Sequence, residues 1–282
     1  MKNGVWSQEE LDFIKENYKH MSYKEMAKQL DRTKTAVDLK VNRLGLKKSK
    51  YVYNEKFFES IDTEEKAYWL GFIYADGYVC AGKYNGSISS YEVSIELSSV
   101  DKNHLIKFVN SINGNIGITE FIKYAGTPPA YHNMCSVRIY SKKMFDDLNN
   151  IGVVQNKTFV IKFPMFLDEN LKRHFIRGYF DGDGSVFENK QRKCVRCNFT
   201  TASKEFAEHI TKCLIANGMR CYITRYHTIY QCNISGMYNV DMFRNFLYKD
   251  SNIFLDRKFN KFVELYDKYN INNRLEHVCL AR

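Results

Sequence analysis

Two apolar stretches of the chain, residues 67–77 and 175–184, each end on an aspartate followed by a glycine. The aspartates are Asp76 and Asp183, and both stretches have the composition of a buried helix. The negative end of a helix dipole disfavours a carboxylate at the C-terminus, and two such ends side by side would also repel each other. A divalent cation between them would relieve both effects, so the pair predicts a site for a hard cation with oxygen ligands. A lone Asp-Gly is more often a turn, and the repetition is what favours chemistry.

Each stretch also contains a glycine at the same offset from its aspartate, Gly71 in the first and Gly178 in the second. Inside a helix, glycine costs roughly 1 kcal/mol relative to alanine. The expected compensation is a close approach of the two helices along these small residues. The alternative is an ordinary buried helix that tolerates a glycine, and it explains one occurrence better than two.

The segments that follow each stretch repeat as well. Residues 91–97 alternate apolar and polar side chains with a period of two, which predicts a strand. Asp101 and Ser141 stand where two later helices of the first repeat would be capped. The order helix, two strands, helix, two strands, helix occurs twice. The predicted fold class is therefore α+β, with two pseudo-symmetric αββαββα halves built on antiparallel sheets and preceded by a small three-helix domain.

The first 48 residues predict three short helices. Ser7 and Ser22 each begin a capping box, Thr33 caps a third helix, and Gly45 ends it. The segment resembles Myb-like and resolvase-like helix-turn-helix modules at residues 6–10, 27–30, 32–33 and 43–46. In such modules the last helix enters the DNA major groove. The alternative is a helical cap with solvated charges. The resemblance implies that the DNA contacts of this segment are Lys34, Thr35, Lys40, Arg43 and Lys47.

The paired stretches themselves resemble the LAGLIDADG motif of homing endonucleases, and the resemblance covers about residues 62–270. It implies saddle-shaped sheets that bind long double-stranded DNA targets, and a monomer that acts as a pseudo-dimer. The implied reaction is site-specific phosphodiester hydrolysis with two or three Mg²⁺ ions, or Mn²⁺. The domains predicted on this basis are 1–48 (helix-turn-helix), 49–61 (linker), 62–165 (first half) and 166–282 (second half).

The resemblance also assigns roles at the motif ends. Asp76 and Asp183 are the implied metal-binding acids, one for each DNA strand, and the carbonyls of Ala75 and Gly182 are implied further ligands. In the first motif, Tyr74 replaces an aspartate of the family pattern.

Further roles lie late in each half and on the strands. Lys157 and Lys258 match basic residues that lie near each scissile phosphate, although a lysine in such a position is more often on a solvated face. Glu96 and Asn198 match solvent-orienting residues, and Glu96 departs from the commoner amide. The implied DNA-reading side chains of the strands, each of which could instead be an ordinary surface residue, are Lys83, Lys123, Arg138, Arg192, Arg196 and Arg225.

Composition agrees with a polyanionic partner, because 42 Lys and Arg face 32 Asp and Glu, a formal net charge of +10. The N-terminus does not resemble a signal peptide and no apolar run approaches a membrane span, so no membrane association is expected. We expect a cytoplasmic protein, or an organellar or phage-encoded one, whose eight cysteines are thiols. Cys194 and Cys197 form the single C-x-x-C, which favours two strand cysteines over a zinc site.

Two alternatives to the endonuclease remain open at this level. The same fold serves as a non-cleaving DNA-binding regulator or as an RNA maturase. Loss of an acid would indicate the regulator, and both acids are present. An intein is not expected, because the first residues and the last four, Cys279 to Arg282, lack the groups that splicing chemistry requires.

Overall fold

The computed structural model describes residues 4–18, 21–46 and 51–271. The chain divides into two compact units, Met1–Val52 and Tyr53–Arg282. None of the helices within the described ranges is long and apolar enough to cross a membrane. The seven cysteines in these ranges are free thiols, as expected, and Cys279 lies outside them.

The N-terminal unit contains helices α1 (Gln8–Asn17), α2 (Tyr23–Gln29) and α3 (Lys34–Arg43). Both predicted capping boxes are present, at Ser7 and Ser22. The Thr33 hydroxyl accepts a hydrogen bond from the backbone of Ala36 at the start of α3, and Gly45 follows the end of α3 with φ +69°. The small core consists of Ile14, Met26, Ala27, Val37 and Val41.

A buried ion pair supplements this core. The Arg32 guanidinium donates to both carboxylate oxygens of Glu10, at 2.9 and 2.8 Å, in the bidentate geometry that arginine favours. The central carbon of the guanidinium, Cζ, lies 4.1 Å from the centre of the Trp6 ring. The pair therefore connects the turn before α3 to the first turn of α1.

The larger unit repeats one order of elements twice. The first half contains α4 (Glu64–Asp76), β1 (Gly77–Tyr84), β2 (Ser87–Ser98), α5 (Lys102–Ser111), β3 (Thr119–Ala125), β4 (Ala130–Tyr140) and α6 (Lys142–Asn150). The second half contains α7 (Glu169–Asp183), β5 (Gly184–Asn189), β6 (Cys194–Thr201), α8 (Lys204–Ala216), β7 (Cys221–Tyr226), β8 (Ile229–Ile234), α9 (Met237–Tyr248) and α10 (Asp256–Lys268). The predicted α+β fold with two αββαββα halves is confirmed, and α10 follows the second half as an additional helix.

Each half builds one antiparallel sheet of four strands, ordered β1-β2-β4-β3 and β5-β6-β8-β7. On β2 the side chains of Val93, Ile95 and Leu97 are buried in the core, and those of Glu92 and Glu96 lie on the opposite face. We call this opposite face of each sheet the outer face. Helices thus cover one side of each sheet and leave polar side chains on the other.

The motif helices α4 and α7 pack against each other at backbone distance. A Cβ atom added to Gly71 would lie 2.0 Å from the carbonyl oxygen of Phe175, and one added to Gly178 would lie 1.9 Å from that of Tyr68. The contacts are reciprocal, because each glycine faces the residue three positions before the other glycine. The expected reason for both mid-helix glycines is confirmed.

One predicted cap is wrong. The Asp101 side chain makes no capping hydrogen bond to α5, and the residue ends a short 3₁₀ turn, Ser99–Asp101. Its carboxylate instead accepts from the Arg257 guanidinium, at 3.0 to 3.2 Å. A long-range ion pair with the start of α10 has replaced the local cap. The Ser141 cap on α6 is confirmed.

Gly71→Ala is expected to destabilise the protein by at least about 2 kcal/mol, because the methyl group meets backbone atoms that cannot move aside. The gain in helix propensity, about 1 kcal/mol, is too small to offset this. Urea unfolding measures the change. The matched control is Gly117→Ala, since an added Cβ there meets nothing within 4 Å; its effect should stay within about 0.5 kcal/mol. Equal stability of the two variants would contradict the close packing.

Candidate active site

The two acids lie together because their helices end together. Asp76 is the last residue of α4 and Asp183 is the last residue of α7. A Cβ atom built on Gly182 would lie 2.3 Å from the Ala75 Cβ and 3.2 Å from Oδ2 of Asp76. The ends of the two helices are therefore in contact, and each helix leads directly into the first strand of its sheet.

Both carboxyl groups are held in an environment that disfavours their charge. The pKa of Asp76 rises to about 6, first because protein atoms displace water around it and second because Asp183 is close. Desolvation also raises the pKa of Asp183, and the hydroxyl of Tyr179 beside it acts in the opposite direction. Within the described ranges no ion pair engages either carboxylate, so the two negative charges are not compensated by direct contact with a basic side chain.

Lys258 lies in the first turn of α10 and reaches the end of α7. The residue is only 6% exposed. Its ammonium donates to the carbonyl oxygens of Phe180, at 2.6 Å, and Gly182, at 2.8 Å. Desolvation lowers its pKa to about 8, and the carboxylates of Asp181 and Asp76 oppose that shift. This lysine belongs to a buried site rather than to a solvated face.

Lys157 occupies the corresponding place in the first half, with different geometry. It begins the 3₁₀ turn Lys157–Phe159, and Asn156 before it has a left-handed backbone, φ +59°. Its ammonium donates to the carbonyl of Gly77, the residue after the acid. Desolvation lowers its pKa, and Asp183 and Asp76 oppose the shift. The two predicted lysines therefore both lie next to the acids, on different carbonyls.

The donor set suits a hard divalent cation. No group of three or more His, Cys, Asp or Glu that could hold a metal occurs within the described part of the chain. A cation here would have two carboxylates, the carbonyl of Ala75, water and an added phosphate as ligands. The predicted ligand Gly182 would share its carbonyl oxygen with the Lys258 ammonium. Mg²⁺ is commonly bound in this way, by few carboxylates and by substrate phosphates. Desolvation is the first cause of the raised pKa of each acid, and the neighbouring carboxylate adds to it for Asp76.

Glu96 and Asn198, predicted as counterparts, are not equivalent in strand register. The glycine after each acid marks the same place in the two halves: Gly77 pairs with Ile95, and Gly184 pairs with Phe199. One residue before these partners stand Ser94 and Asn198, so Asn198 corresponds to Ser94. Glu96 lies two residues further along its strand. Its carboxylate forms an ion pair with Lys123, at 2.6 Å. The sequence alignment of these two strands was therefore wrong by two residues.

Strand register places three of the predicted DNA-reading residues on the outer faces of the sheets. Lys123 and Arg138 share the outer face of the first sheet with Glu96. Arg196 lies on the outer face of the second sheet, opposite Phe187, and its buried Nε has no hydrogen-bond partner among the residues that the structure describes.

Three further residues of the larger unit that were predicted to contact DNA do not lie on the outer faces of the sheets. Lys83 and Arg192 are exposed near the turns that connect paired strands. Arg225 lies in the row of the core-facing residues of β7 and stacks on Tyr230, 5.7 Å from its ring centre. Arg225 is exposed but lies off the outer face, so its contact with DNA stays a prediction.

The predicted contacts of the N-terminal unit lie on α3. Lys34, Thr35 and Arg43 are exposed, and the ammonium of Lys40 lies 5.3 Å from the ring centre of Trp6. Lys47 is outside the described residues.

Sequence reasoning missed the basic residues around Lys258. Arg257, Lys258 and Lys261 line a cavity of about 330 Å³ with Gly184 and Ser185, directly after the second acid. Arg257 is oriented by its bidentate contact with the Asp101 carboxylate of the first half. The spacing of these basic residues in the first turns of α10 was the available signal, because neighbours at this spacing share one side of a helix.

Part of the second half is similar to a known domain family. Residues 170–247 match the LAGLIDADG-like domain, from the first turn of α7 almost to the end of α9. Two archaeal relatives from Methanocaldococcus jannaschii align over part of the chain. DNA-directed RNA polymerase subunit Rpo1C is 34% identical over 128 residues, which are 44% of this chain and 14% of that protein. Replication factor C small subunit is 27% identical over 164 residues, 58% of this chain and 8% of that protein.

A solved structure extends the likeness to both halves. The homing endonuclease I-WcaI bound to its DNA recognition sequence aligns with a TM-score of 0.53 and 16% identity. The alignment covers 73% of this chain and 91% of that one. The chain spans only a small share of its curated relatives, whereas it matches nearly the whole length of this endonuclease structure. The larger unit therefore has the LAGLIDADG endonuclease fold, and its second half matches the LAGLIDADG-like domain.

In metal-free protein, stability should fall as the pH rises from about 4 to about 6 because of Asp76. Its folded-state pKa of about 6 exceeds the ordinary value of 3.8, so the folded state holds the proton more tightly and loses stability as that proton leaves. The Asp76→Asn variant should therefore have the same free energy of unfolding as wild type near pH 4, and a higher one at pH 7.5. Although protein atoms displace part of the water around its carboxyl group, the residue Asp76 keeps an exposed edge, so solvent screening limits the expected gain to at most about 1 kcal/mol. Urea unfolding in EDTA measures it, and a less stable variant at pH 7.5 would contradict the electrostatics.

Proposed function

We propose that the chain is a site-specific double-stranded DNA endonuclease that hydrolyses phosphodiester bonds with a divalent metal ion. The observation that carries the proposal is the meeting of two carboxylates, Asp76 and Asp183, at the touching ends of α4 and α7. A single acid would serve one strand, whereas a pseudo-symmetric pair provides one acid for each strand of a duplex. The likeness to an endonuclease fold supports the proposal.

The chemistry assigns a role to each group. Asp76 and Asp183, with the carbonyls of Ala75 and Gly182, would hold two or three Mg²⁺ or Mn²⁺ ions, which supply an activated water and neutralise charge on the phosphate. Lys258 has a pKa lowered to about 8, so at neutral pH it is mostly cationic and can stabilise charge that develops beside the second acid.

Lys157 would do the same for the first half from its place on the Gly77 carbonyl. Two separately equipped halves correspond to the cleavage of two strands.

DNA would lie along the outer faces of the two sheets. These faces carry Lys123 and Arg138 in one half and Arg196 in the other, and a two-stranded ribbon fits the major groove. The net charge of +10 supplies the sequence-independent part of the affinity. The long sheets favour a long target and a monomer that acts as a pseudo-dimer. The N-terminal unit would add a second contact through the exposed face of α3.

The activities named for the curated relatives are not proposed for this chain. The alignments cover 14% and 8% of those proteins, and the two proteins have different names and tasks. The aligned parts are too small a share of either protein to carry its named activity over to this chain.

Removing either acid should leave an enzyme that nicks. Asp76→Asn and Asp183→Asn each delete one metal-binding carboxylate, so each is expected to cut one strand at least a hundredfold more slowly than the other. A randomised double-stranded DNA library incubated with Mg²⁺ identifies the target, and a plasmid carrying it separates nicked from linear product. EDTA should abolish both products.

The matched control is Asp146→Asn, a carboxylate on α6 that pairs with Lys142 at the surface. It should produce linear DNA at the wild-type rate. Tight, salt-dependent binding by wild type without any cutting would reject the nuclease and favour a non-cleaving DNA regulator; preferential binding of RNA would favour a maturase.

Neutralising α3 should weaken binding without moving the cut. The double substitution Lys34→Gln and Arg43→Gln removes two exposed charges from this helix. If both contact phosphates, the slope of log K against log salt should fall by about 2, and the cleavage position should remain the same. Binding titrations at several salt concentrations measure the slope. An unchanged slope would show that α3 does not contact DNA, and the substitution Glu16→Gln on α1 controls for general surface effects.

A further inference from the structure

The two motif helices differ at the position two residues before the acid, which is Tyr74 in α4 and Asp181 in α7. Asp181 is 1% exposed. Its carboxylate accepts hydrogen bonds from the hydroxyl of Tyr68 at 2.8 Å, the hydroxyl of Tyr248 at 2.6 Å and the backbone N–H of Leu255 at 2.8 Å. A buried charge is tolerated when its oxygens are hydrogen-bonded in this way. The carboxylate thus collects donors from α4, from α9 and from the segment before α10.

The bond to Leu255 fixes the start of α10. Leu255 directly precedes the helix, and α10 has no side-chain cap of its own. The first N–H groups of a helix have no partner within it, and a negative charge near them is favourable. Asp181 therefore supplies, from another helix, the acceptor that the start of α10 lacks.

The first turn of α10 also contacts α7 through the side chain of Lys258. The Lys258 ammonium donates to the carbonyls of Phe180 and Gly182, which flank Asp181 in the chain. The last turn of α7 is therefore joined to the start of α10 twice: the Asp181 carboxylate accepts from the backbone of Leu255, and the Lys258 ammonium donates to the backbone of α7. Loss of the carboxylate bond would remove the constraint that holds this turn of α10 in place, so the two bonds of the Lys258 ammonium would break more often.

We propose that Asp181 is a positioning residue for Lys258, and that only the second half depends on such a residue. The consequence for cleavage rests on the proposed function; the positioning itself does not. In the first half the hydroxyl of Tyr74 donates to the carbonyl of Ile151, at 2.5 Å, and Lys157 lies in its own short turn. Among the described residues no carboxylate hydrogen-bonds to the turn that carries Lys157, so a change at Asp181 should act on one strand alone.

The first test measures the accessibility of Lys258 and needs no nuclease activity. Wild type and Asp181→Asn are acylated with a water-soluble N-hydroxysuccinimide ester in EDTA, and each lysine is quantified by peptide mass spectrometry. Freed from its carbonyls, Lys258 should react about tenfold faster in the variant, the effect expected when a charge-assisted hydrogen bond is lost. Labelling of Lys157 serves as the internal reference and should not change. Tyr74→Phe, the matched change in the first half, should leave Lys258 protected.

Where Asp181→Asn does not fold, Tyr248→Phe takes its place. It removes one of the three donors and keeps the carboxylate, so a smaller rise in Lys258 labelling is expected. Unchanged labelling of Lys258 in the folded variant overturns the proposal, whatever happens to DNA.

The second test follows the two strands. Asp181→Asn should spare the strand cut by the first half and slow the other, so that nicked plasmid accumulates as it does for Lys258→Met. The double variant with Asp181→Asn and Lys258→Met should slow this strand by less than the sum of the two single effects on the activation free energy, because both substitutions act through one ammonium group. Equal slowing of both strands would show a structural role only and overturn the proposal. If wild type cuts no DNA, the proposed function fails, and the labelling result still decides the role of Asp181.

Discussion

The contact between α4 and α7 is the constraint on which the rest of the larger unit depends. Gly71 and Gly178 let the two backbones meet where any side chain would intrude, so the helices run side by side to their ends. Each helix continues without a loop into the first strand of its sheet. The position of the two sheets, and of the polar side chains on their outer faces, follows from this one contact.

The same contact creates an electrostatic problem at the helix ends. It places Asp76 beside Asp183 at the negative ends of two dipoles, and the protein around them removes much of the water that would screen their charge. The nearest basic groups, Lys157 and Lys258, do not neutralise the acids, because their ammonium groups lie on backbone carbonyls. The site thus brings two carboxylates together without a direct ion pair among the described residues, and this donor set suits a divalent cation.

The sequence predicted the features that depend on short-range pattern. The paired glycines, the acids, the order of elements and most helix caps could be inferred because period, offset and cap chemistry are local properties. The equivalence of Glu96 with Asn198 was wrong, since strand pairing is a long-range property and an error of two residues preserves the inward and outward alternation. The burial of Lys258 was missed for a similar reason: its partners come from a helix far away in the chain.

The reciprocity of the glycine contact has a consequence for how such a chain can diverge. Each glycine meets the backbone three residues before its counterpart and one residue after it, so each motif helix presents the same surface that it receives. This is the isologous geometry of a two-fold dimer, here joined into one polypeptide. A half of this kind is complementary to a copy of itself, and the connecting segment is needed only to keep two different halves together. The residues outside this contact are then free to differ between the two halves.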